Sequence, residues 1–228
     1  MVNVAAWKEI SAELAKDKVT LVAVSKTKPV SDIQDLYDLG QRDFGENYVQ
    51  ELEEKQAQLP TDIRWHYIGH LQSNKVKYIA GYTYMIHAVD SFKLLLEINK
   101  QATKHNRTIK VLLQLHIADE ETKHGMDEAA VLELLDYYEA QRADLQHVQI
   151  CGVMGMATFT DDTEKVRAEF KRLHNFFVYL KQTHFIADSN FSTISMGMSG
   201  DYKIAVEESS TMVRVGSLLF GHRDYTNA

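Results

Sequence analysis

The chain has little cysteine and little proline. Only one of its 228 residues is cysteine, Cys151, so no intrachain disulfide can form, which suits a reducing compartment. A cysteine that is not oxidised behaves as a small apolar residue, and we expect Cys151 to be buried. The two prolines, Pro29 and Pro60, are too few for a proline-rich linker. We therefore expect one domain over residues 1–228.

Long apolar runs and an excess of basic charge are also missing. No stretch approaches the roughly 20 apolar residues of a membrane helix, and residues 1–18 lack the pattern of a signal peptide. The formal net charge of −7 disfavours nucleic acids as partners, because their phosphates attract basic surfaces. We expect a cytoplasmic protein without nucleic acid or membrane partners. One small phosphate remains compatible, since a few backbone N–H groups can hold it.

The sequence does contain an alternation of short β-branched runs with longer amphipathic stretches. Strand–helix alternation predicts right-handed βαβ units with a parallel sheet. Eight such units predict an α/β protein with a single (β/α)8 TIM barrel, here with an extra N-terminal helix. Without the short second strand, an open sheet would replace the barrel. The strands are predicted at residues 19–25, 43–45, 65–69, 84–88, 110–117, 149–154, 192–196 and 211–215, and the helices at residues 4–16, 30–39, 46–58, 73–80, 91–105, 127–142, 161–183 and 202–208.

The first strand ends in a lysine that is placed to enter the barrel mouth. Side chains alternate along a strand, so Val22, Val24 and Lys26 share one face. Active sites of TIM barrels lie at the carboxyl ends of the strands, and an amine partly removed from water becomes a nucleophile for aldehydes. A lysine reaching into solvent is the ordinary alternative. Lys28 has the same parity but lies beyond the strand, so Lys26 is the first candidate.

The loops after the last two strands are rich in serine and glycine. The loop after the seventh strand follows Ser195, and the loop after the eighth contains Gly216 and Ser217. TIM barrels commonly bind phosphate in these two loops, where small residues let backbone N–H groups approach an anion. Turn formation alone is the alternative for such residues. Alternation also turns Arg214 into the barrel if Val213 and Val215 pack against helices.

Two further groups of polar residues follow earlier strands. Asn47 follows the second strand, where its side chain could either contact a ligand or cap the next helix. His66 and His70 follow one another on the third strand and its loop, but no third ligand stands at a suitable spacing, so we predict no metal site.

A phosphate site, a lysine at the barrel mouth and an inward arginine together suit pyridoxal 5′-phosphate (PLP), an aldehyde that carries a phosphate. Lys26 is then expected to hold PLP as a Schiff base. An arginine facing the pyridine nitrogen, here Arg214, would leave that nitrogen unprotonated and weaken the ring as an electron sink, because two positive charges repel. PLP enzymes that need a strong sink place a carboxylate there instead.

The ordered motifs resemble the YggS/PROSC family of pyridoxal phosphate homeostasis proteins over residues 19–225. Two positions depart from that family: His116 stands where relatives often have asparagine, and Ser209 where glycine often precedes Ser-Thr. The shared blocks are Ala-Val-Ser-Lys-Thr-Lys-Pro at 23–29, Phe-Gly-Glu-Asn-Tyr at 44–48, Trp-His-Tyr-Ile-Gly-His-Leu-Gln-Ser-Asn-Lys at 65–75, Lys-His-Gly at 123–125, Ser-Met-Gly-Met-Ser at 195–199, Val-Arg-Val-Gly at 213–216 and Phe-Gly at 220–221.

The resemblance implies a barrel similar to the N-terminal domain of alanine racemase. It implies Lys26 as the Schiff-base lysine and Arg214 near the pyridine nitrogen, with Ser195, Gly216 and Ser217 around the phosphate. Family members have no established turnover and are thought to buffer or deliver PLP, with PLP-dependent apo-enzymes as possible recipients. We therefore expect a PLP-binding protein of vitamin B6 homeostasis rather than an enzyme.

Two enzymatic alternatives remain at this stage. An amino-acid racemase needs a second base on the opposite face of the cofactor from Lys26. Tyr48 and Tyr225 could in principle take that role, but nothing in the sequence places them there. Alanine racemases take this base from a second domain across a dimer, which the short chain has no room for, so a monomer is expected. A class I aldolase also uses a barrel lysine, although usually on a later strand and with carboxylates nearby.

Overall fold

The computed structural model describes residues 2–120 and 123–221. Eight parallel strands form a closed barrel in sequence order, and β8 pairs with β1 to close it. This confirms the predicted TIM barrel, including its short second strand. The strands are β1 (Thr20–Val24), β2 (Asp43–Glu46), β3 (Arg64–Tyr67), β4 (Met85–Val89), β5 (Ile109–Gln114), β6 (Val148–Met154), β7 (Thr193–Ser195) and β8 (Met212–Val215).

The helices surround the barrel, and the predicted extra N-terminal helix is confirmed with its predicted bounds. The stretch predicted as one helix at 73–80 is a 3-10 turn, Ser73–Lys75, followed by the short α4, and α9 was not predicted. Within the described residues, no helix combines the length and apolar character needed to cross a membrane. The α-helices are α1 (Val4–Lys16), α2 (Val30–Asp38), α3 (Val49–Gln56), α4 (Val76–Ile79), α5 (Phe92–Lys104), α6 (Glu128–Ala140), α7 (Thr163–Thr183), α8 (Tyr202–Glu207) and α9 (Ser217–Phe220).

Strand alternation divides the core into two layers. The larger apolar cluster includes Val213 and Val215 and lies between the barrel and its helices. A smaller cluster, which includes Val22 and Met212, fills the barrel interior. Cys151 belongs to this interior cluster, as predicted for a buried apolar residue, and burial raises the pKa of its thiol to about 11. The barrel interior is therefore packed with side chains rather than hollow.

Charged side chains are paired at the amino-terminal end of the barrel. Arg64 binds the Asp43 carboxylate through two nitrogens at 2.5 and 2.7 Å, and His66 Nε2 lies 2.9 Å from Asp43 Oδ1. Burial raises the pKa of Asp43, but the hydrogen bonds from Arg64 and His66 outweigh it and hold this pKa at about 2. The carboxylate is therefore ionised in the folded protein at neutral pH.

The low pKa of Asp43 predicts a stability that depends on pH. Because the folded pKa lies below the ordinary value of 3.8, the carboxylate stabilises the fold above pH ~4 and loses this contribution as the pH falls towards 2. The contribution at neutral pH is on the order of 2 kcal/mol. Urea unfolding should show that Asp43→Asn costs less at pH 3 than at pH 6. An equal cost at both pH values would contradict the account.

Ser209 has a backbone conformation that favours glycine. The residue follows α8 with φ of 70°, a left-handed conformation that costs a side-chain-bearing residue about 1–2 kcal/mol. Its N–H bonds Val206 O and the N–H of Ser210 bonds Ala205 O, the Schellman pattern that favours glycine at this place. We expect Ser209→Gly to raise the free energy of unfolding by about 0.5–1 kcal/mol, measured by urea denaturation; a loss of stability would contradict this interpretation.

Candidate functional site

A cavity of about 540 Å3 opens at the carboxyl ends of the strands. This is the end at which the barrel fold predicts function. Five of the six predicted site residues, Lys26, Asn47, Arg214, Gly216 and Ser217, line it, and Ser195 does not. The complete lining is Val24, Lys26, Lys28, Asn47, Ile68, Met156, Phe159, Met198, Ser199, Gly200, Asp201, Arg214, Gly216, Ser217 and Gly221.

Two lysines reach this cavity from the end of β1. Val24 and Lys26 both line it, in agreement with the alternation that places Val22 in the barrel interior. Lys28 lines it as well, although it lies beyond the strand. The backbone turns here, since the N–H of Lys28 bonds Ser25 O at 3.0 Å. Both amines are therefore candidates by position.

A buried ion pair fixes the backbone on either side of Lys26. Lys55 Nζ, from α3, lies 2.8 Å from Glu46 Oε1 and donates to Ser25 O at 2.7 Å. Ser25 Oγ donates to the same Glu46 oxygen at 2.6 Å. Glu51, which also pairs with Lys55, accepts from the N–H of Thr27 at 2.5 Å. This framework holds the segment that carries Lys26.

The burial of Glu46 makes its ion pair with Lys55 depend on whether the Glu46 carboxyl is protonated. Glu46 is completely buried and Lys55 is only 4% exposed. Burial raises the pKa of Glu46 to about 7, although Lys55 acts in the opposite direction. The carboxyl is therefore partly ionised at neutral pH with Lys55 present, and loss of the lysine would favour its protonated form further.

Asn47 faces the cavity because its backbone is held from β3. Tyr67 donates from its hydroxyl to Asn47 O at 2.9 Å. A Cβ on Gly69 would lie 2.5 Å from Asn47 O, so only glycine permits this close approach. Helix capping by Asn47 is ruled out, since Tyr48 occupies the N-cap of α3. Asn47 Oδ1 is instead buried without a hydrogen-bond partner among the described residues.

Arg214 brings a buried positive charge to the cavity wall. The residue is 4% exposed; Nη1 donates to Ser195 Oγ at 2.6 Å and Nη2 to Gly155 O at 3.1 Å. Burial lowers its pKa to about 10, with Asp201 acting in the opposite direction, so the guanidinium stays charged at neutral pH. No carboxylate among residues 2–120 and 123–221 forms an ion pair with it. An acceptor in the cavity would satisfy its remaining N–H groups.

Ser195 lies behind Arg214 rather than in the cavity, so its predicted place beside the phosphate finds no support in the cavity lining. Its side chain is completely buried. The hydroxyl is already engaged by Arg214 and by His87 Nδ1, which lies 3.0 Å away. The serine that lines the cavity from the same loop is Ser199.

The loops after β7 and β8 meet at the cavity. The N–H of Gly216 donates to Ser199 Oγ at 3.2 Å, and the N–H of Met198 donates to Asp201 Oδ1 at 2.5 Å. The first contact joins the two loops at one side of the site, and the second closes a turn within the loop after β7. Ser199, Gly200, Gly216 and Ser217 give this side small side chains and backbone N–H groups, a suitable surface for an anion.

The two histidines of β3 and its following loop, His66 and His70, are not brought together. His66 is buried in the barrel, whereas His70 stacks on His124 with ring centroids 4.4 Å apart and lies 3.4 Å from Asp90. Among the described residues, no group of three or more His, Cys, Asp or Glu side chains is arranged to hold a metal ion.

Several cavity residues were missed from the sequence. Ser199 and Asp201 belong to the Ser-Gly-Asp turn, whose composition signalled a turn but not which side chains face inward. Phe159 is 95% exposed at the cavity, and nothing in the pattern around it predicts this. Of the tyrosines considered as a second base, Tyr48 is about half exposed and does not line the cavity, and Tyr225 lies outside the described residues.

Comparison with known proteins agrees with this architecture. Residues 4–224 match the family described as alanine racemase, N-terminal domain. The chain is similar to the pyridoxal phosphate homeostasis protein of Pasteurella multocida (strain Pm70), with 39% identity over 94% of this chain and 91% of the relative. It is also similar to the protein of the same name from Escherichia coli (strain K12), with 36% identity over 92% of this chain and 88% of the relative.

A solved structure extends the comparison to three dimensions. PipY of Synechococcus elongatus PCC7942, solved with PLP bound, is 37% identical, has a TM-score of 0.81, and aligns over 93% of this chain and 99% of PipY. Its structure without PLP gives a TM-score of 0.86. With matches of this identity and coverage, the chain belongs to the alanine racemase N-terminal domain family and, within it, to the pyridoxal phosphate homeostasis proteins.

Proposed function

We propose that this chain is a single PLP-binding domain, residues 1–228, that acts in intracellular PLP homeostasis. Lys26 holds PLP as a Schiff base, Asn47 and Arg214 contact the ring, and Gly216, Ser217 and Ser199 surround the phosphate. The relatives' names and the PLP bound to PipY support this assignment.

The observation that carries the proposal is the combination of groups in one cavity. Lys26 supplies an amine, Arg214 a buried cation without an ion-pair partner among the described residues, and the loops after β7 and β8 an anion-binding surface. The unpartnered Oδ1 of Asn47 is an amide end that a bound molecule would satisfy. An aldehyde with a ring nitrogen and a phosphate fits all of these groups.

Lys26 supplies the covalent attachment. Its neutral amine adds to the aldehyde carbon, a carbon–nitrogen double bond forms, and the aldehyde oxygen leaves as water. The bond is reversible by addition of water, so attachment and release need no further reactant. The ion pair of Lys55 and Glu46 holds the adjacent backbone, so Lys26 is presented from a fixed segment.

Arg214 favours binding over catalysis. Bound PLP would supply an aldehyde and a ring able to accept electrons. A guanidinium only donates hydrogen bonds, so Arg214 keeps a facing ring nitrogen unprotonated and limits that ability. No tyrosine lies among the described residues that line the cavity. These features support a binding protein rather than an amino-acid racemase.

Isotope exchange tests the absence of racemase activity. PLP-loaded protein is incubated with L-alanine in deuterated water, and the α-proton is followed by NMR. We expect exchange no faster than with free PLP at the same concentration. Faster exchange that Lys26→Ala abolishes would establish an enzyme and contradict the binding role.

Ligand comparison tests the proposed site itself. The protein is titrated with PLP and with pyridoxal, which has the same aldehyde and ring but no phosphate. We expect one PLP to bind per chain, at least roughly 10-fold more tightly than pyridoxal. Hydrogen bonds to a charged phosphate contribute a binding free energy of this size. Equal affinities would contradict a phosphate site in the loops after β7 and β8.

Delivery to PLP-dependent apo-enzymes, a cytoplasmic location and a monomeric state complete the proposal. The open cavity supports exchange of PLP with other proteins. Activation of an apo-enzyme should be faster with PLP-loaded protein than with free PLP at the same concentration, and equal rates would contradict delivery. Analytical ultracentrifugation should give the mass of one chain with and without PLP.

A further inference from the structure

A continuous row of hydrogen bonds crosses the barrel from its amino-terminal end to the cavity. His66 Nε2 lies 2.9 Å from Asp43 Oδ1, and His66 Nδ1 lies 2.9 Å from His87 Nε2. His87 Nδ1 lies 3.0 Å from Ser195 Oγ, to which Arg214 Nη1 donates at 2.6 Å. The five side chains come from five different strands, and all are buried.

The two ends of this row fix the direction of its hydrogen bonds. Arg214 can only donate, and the ionised Asp43 can only accept. With both imidazoles neutral, Ser195 accepts from Arg214 and donates to His87 Nδ1. His87 then donates from Nε2 to His66 Nδ1, and His66 donates from Nε2 to Asp43. With neutral imidazoles, this is the arrangement in which both ring nitrogens of each histidine have a suitable hydrogen-bond partner.

The electrostatic surroundings favour that arrangement. Burial, with His66 and Arg214 nearby, lowers the pKa of His87 well below its ordinary value, which keeps this ring neutral. The low pKa of Asp43 keeps the other end negative. The positive charge of Arg214 and the negative charge of Asp43 therefore lie at opposite ends of an aligned row of donors and acceptors. In such a row each hydrogen bond polarises the next, which strengthens the individual hydrogen bonds.

The row determines how Arg214 is held. Its two contacts, with Ser195 Oγ and Gly155 O, fix the plane of the guanidinium at the cavity. Apolar side chains would fill the barrel at a lower desolvation cost than five buried polar ones. The row is thus better explained by the group that it orients than by stability alone.

We propose that Ser195, His87, His66 and Asp43 are positioning residues that orient Arg214 towards the ligand through one directed row of hydrogen bonds. This inference rests on the proposed function for the identity of the ligand, but the row itself is a property of the protein alone. None of the four residues lines the cavity, so their effect on a ligand passes through Arg214.

The first test determines which imidazole nitrogens carry protons, in the full chain without ligand. Nitrogen-15 NMR of the imidazole rings distinguishes a proton on Nδ1 from one on Nε2. We expect His66 and His87 both to carry a single proton, on Nε2, at neutral pH. A proton on Nδ1 of either ring, or a doubly protonated ring, would overturn the directed row whether or not PLP binds.

The second test compares two buried serines. Ser195→Ala removes the link between His87 and Arg214. Ser210→Ala is the matched control, because Ser210 is also buried and its hydroxyl lies within hydrogen-bond distance of backbone oxygens, those of residues 194, 196 and 212. We expect the His87 Nδ1 signal to move in Ser195→Ala and to stay in Ser210→Ala.

The same variants give a ligand readout. We expect Ser195→Ala to weaken PLP binding roughly 10-fold, as loss of one hydrogen bond to a charged group does, and to shift the visible absorbance of bound PLP. Ser210→Ala should bind within about twofold of wild type. Equal effects of both variants would overturn the positioning role. Failure of the wild type to bind PLP would contradict the proposed function, and the NMR result would still decide the row.

Discussion

Replacing Lys26 by alanine is expected to abolish the visible absorbance band of the PLP Schiff base. The amine is the only part of this side chain that can bond the aldehyde carbon, and alanine leaves nothing in its place. Lys26→Arg should lose the band too, because it retains the charge but cannot deprotonate to become a nucleophile. Weaker, non-covalent binding through Arg214 and the phosphate loops should remain measurable by fluorescence.

Lys28→Ala is the matched control for this prediction, since Lys28 lines the same cavity two residues further along. We expect Lys28→Ala to keep the band with at most a modest loss of affinity. A band that survives in Lys26→Ala and disappears in Lys28→Ala would assign the Schiff base to the other lysine.

Replacing Lys55 by methionine is expected to be the most destabilising of the changes considered. The substitution leaves the completely buried Glu46 carboxyl without its cation, and removing one partner of a buried ion pair costs about 3–5 kcal/mol. The backbone on both sides of Lys26 also loses its support, so PLP binding should weaken. Urea unfolding at pH 7 measures the first effect, and a PLP titration the second.

The pH dependence of Lys55→Met follows from the raised pKa of Glu46. A carboxyl group whose folded pKa lies above its unfolded value loses stability as the pH rises through the folded value, here about 7 with Lys55 present. Without Lys55 the protonated form is favoured further, so the deficit should be larger at pH 8 than at pH 5.

Two variants check this prediction. Lys55→Met with Glu46→Gln removes both charges and should recover part of the stability. Arg142→Ala breaks the exposed ion pair with Glu139, and surface pairs contribute at most ~1 kcal/mol. A loss of stability in Lys55→Met no larger than in Arg142→Ala would contradict the supporting role of the buried pair.

The sequence was sufficient to predict the barrel and part of the cavity, because both follow from local patterns. Strand–helix alternation predicted eight strands, and the period of two along β1 and β8 predicted which side chains face inward. Lys26 and Arg214 could therefore be placed at the barrel mouth before their neighbours were known.

The supporting contacts could not be predicted, because they join residues far apart in the chain. His87 and Ser195 are separated by 108 positions, and their contact depends on the register with which the barrel closes. Ser195 faces the barrel interior, but strand parity alone does not distinguish the cavity from the layer beneath it. A histidine at an inward position on β3 and another on β4 were the available signal for the buried row, since an apolar residue is usual there.

The most direct test of the central claim is the location of the covalent bond. PLP-loaded protein is reduced with borohydride, which makes the Schiff base permanent, and the modified peptide is sequenced by fragment-ion mass spectrometry. The proposed function predicts one reduced phosphopyridoxyl group per chain, on Lys26. A label on Lys28 alone, or one spread over surface lysines, would contradict it.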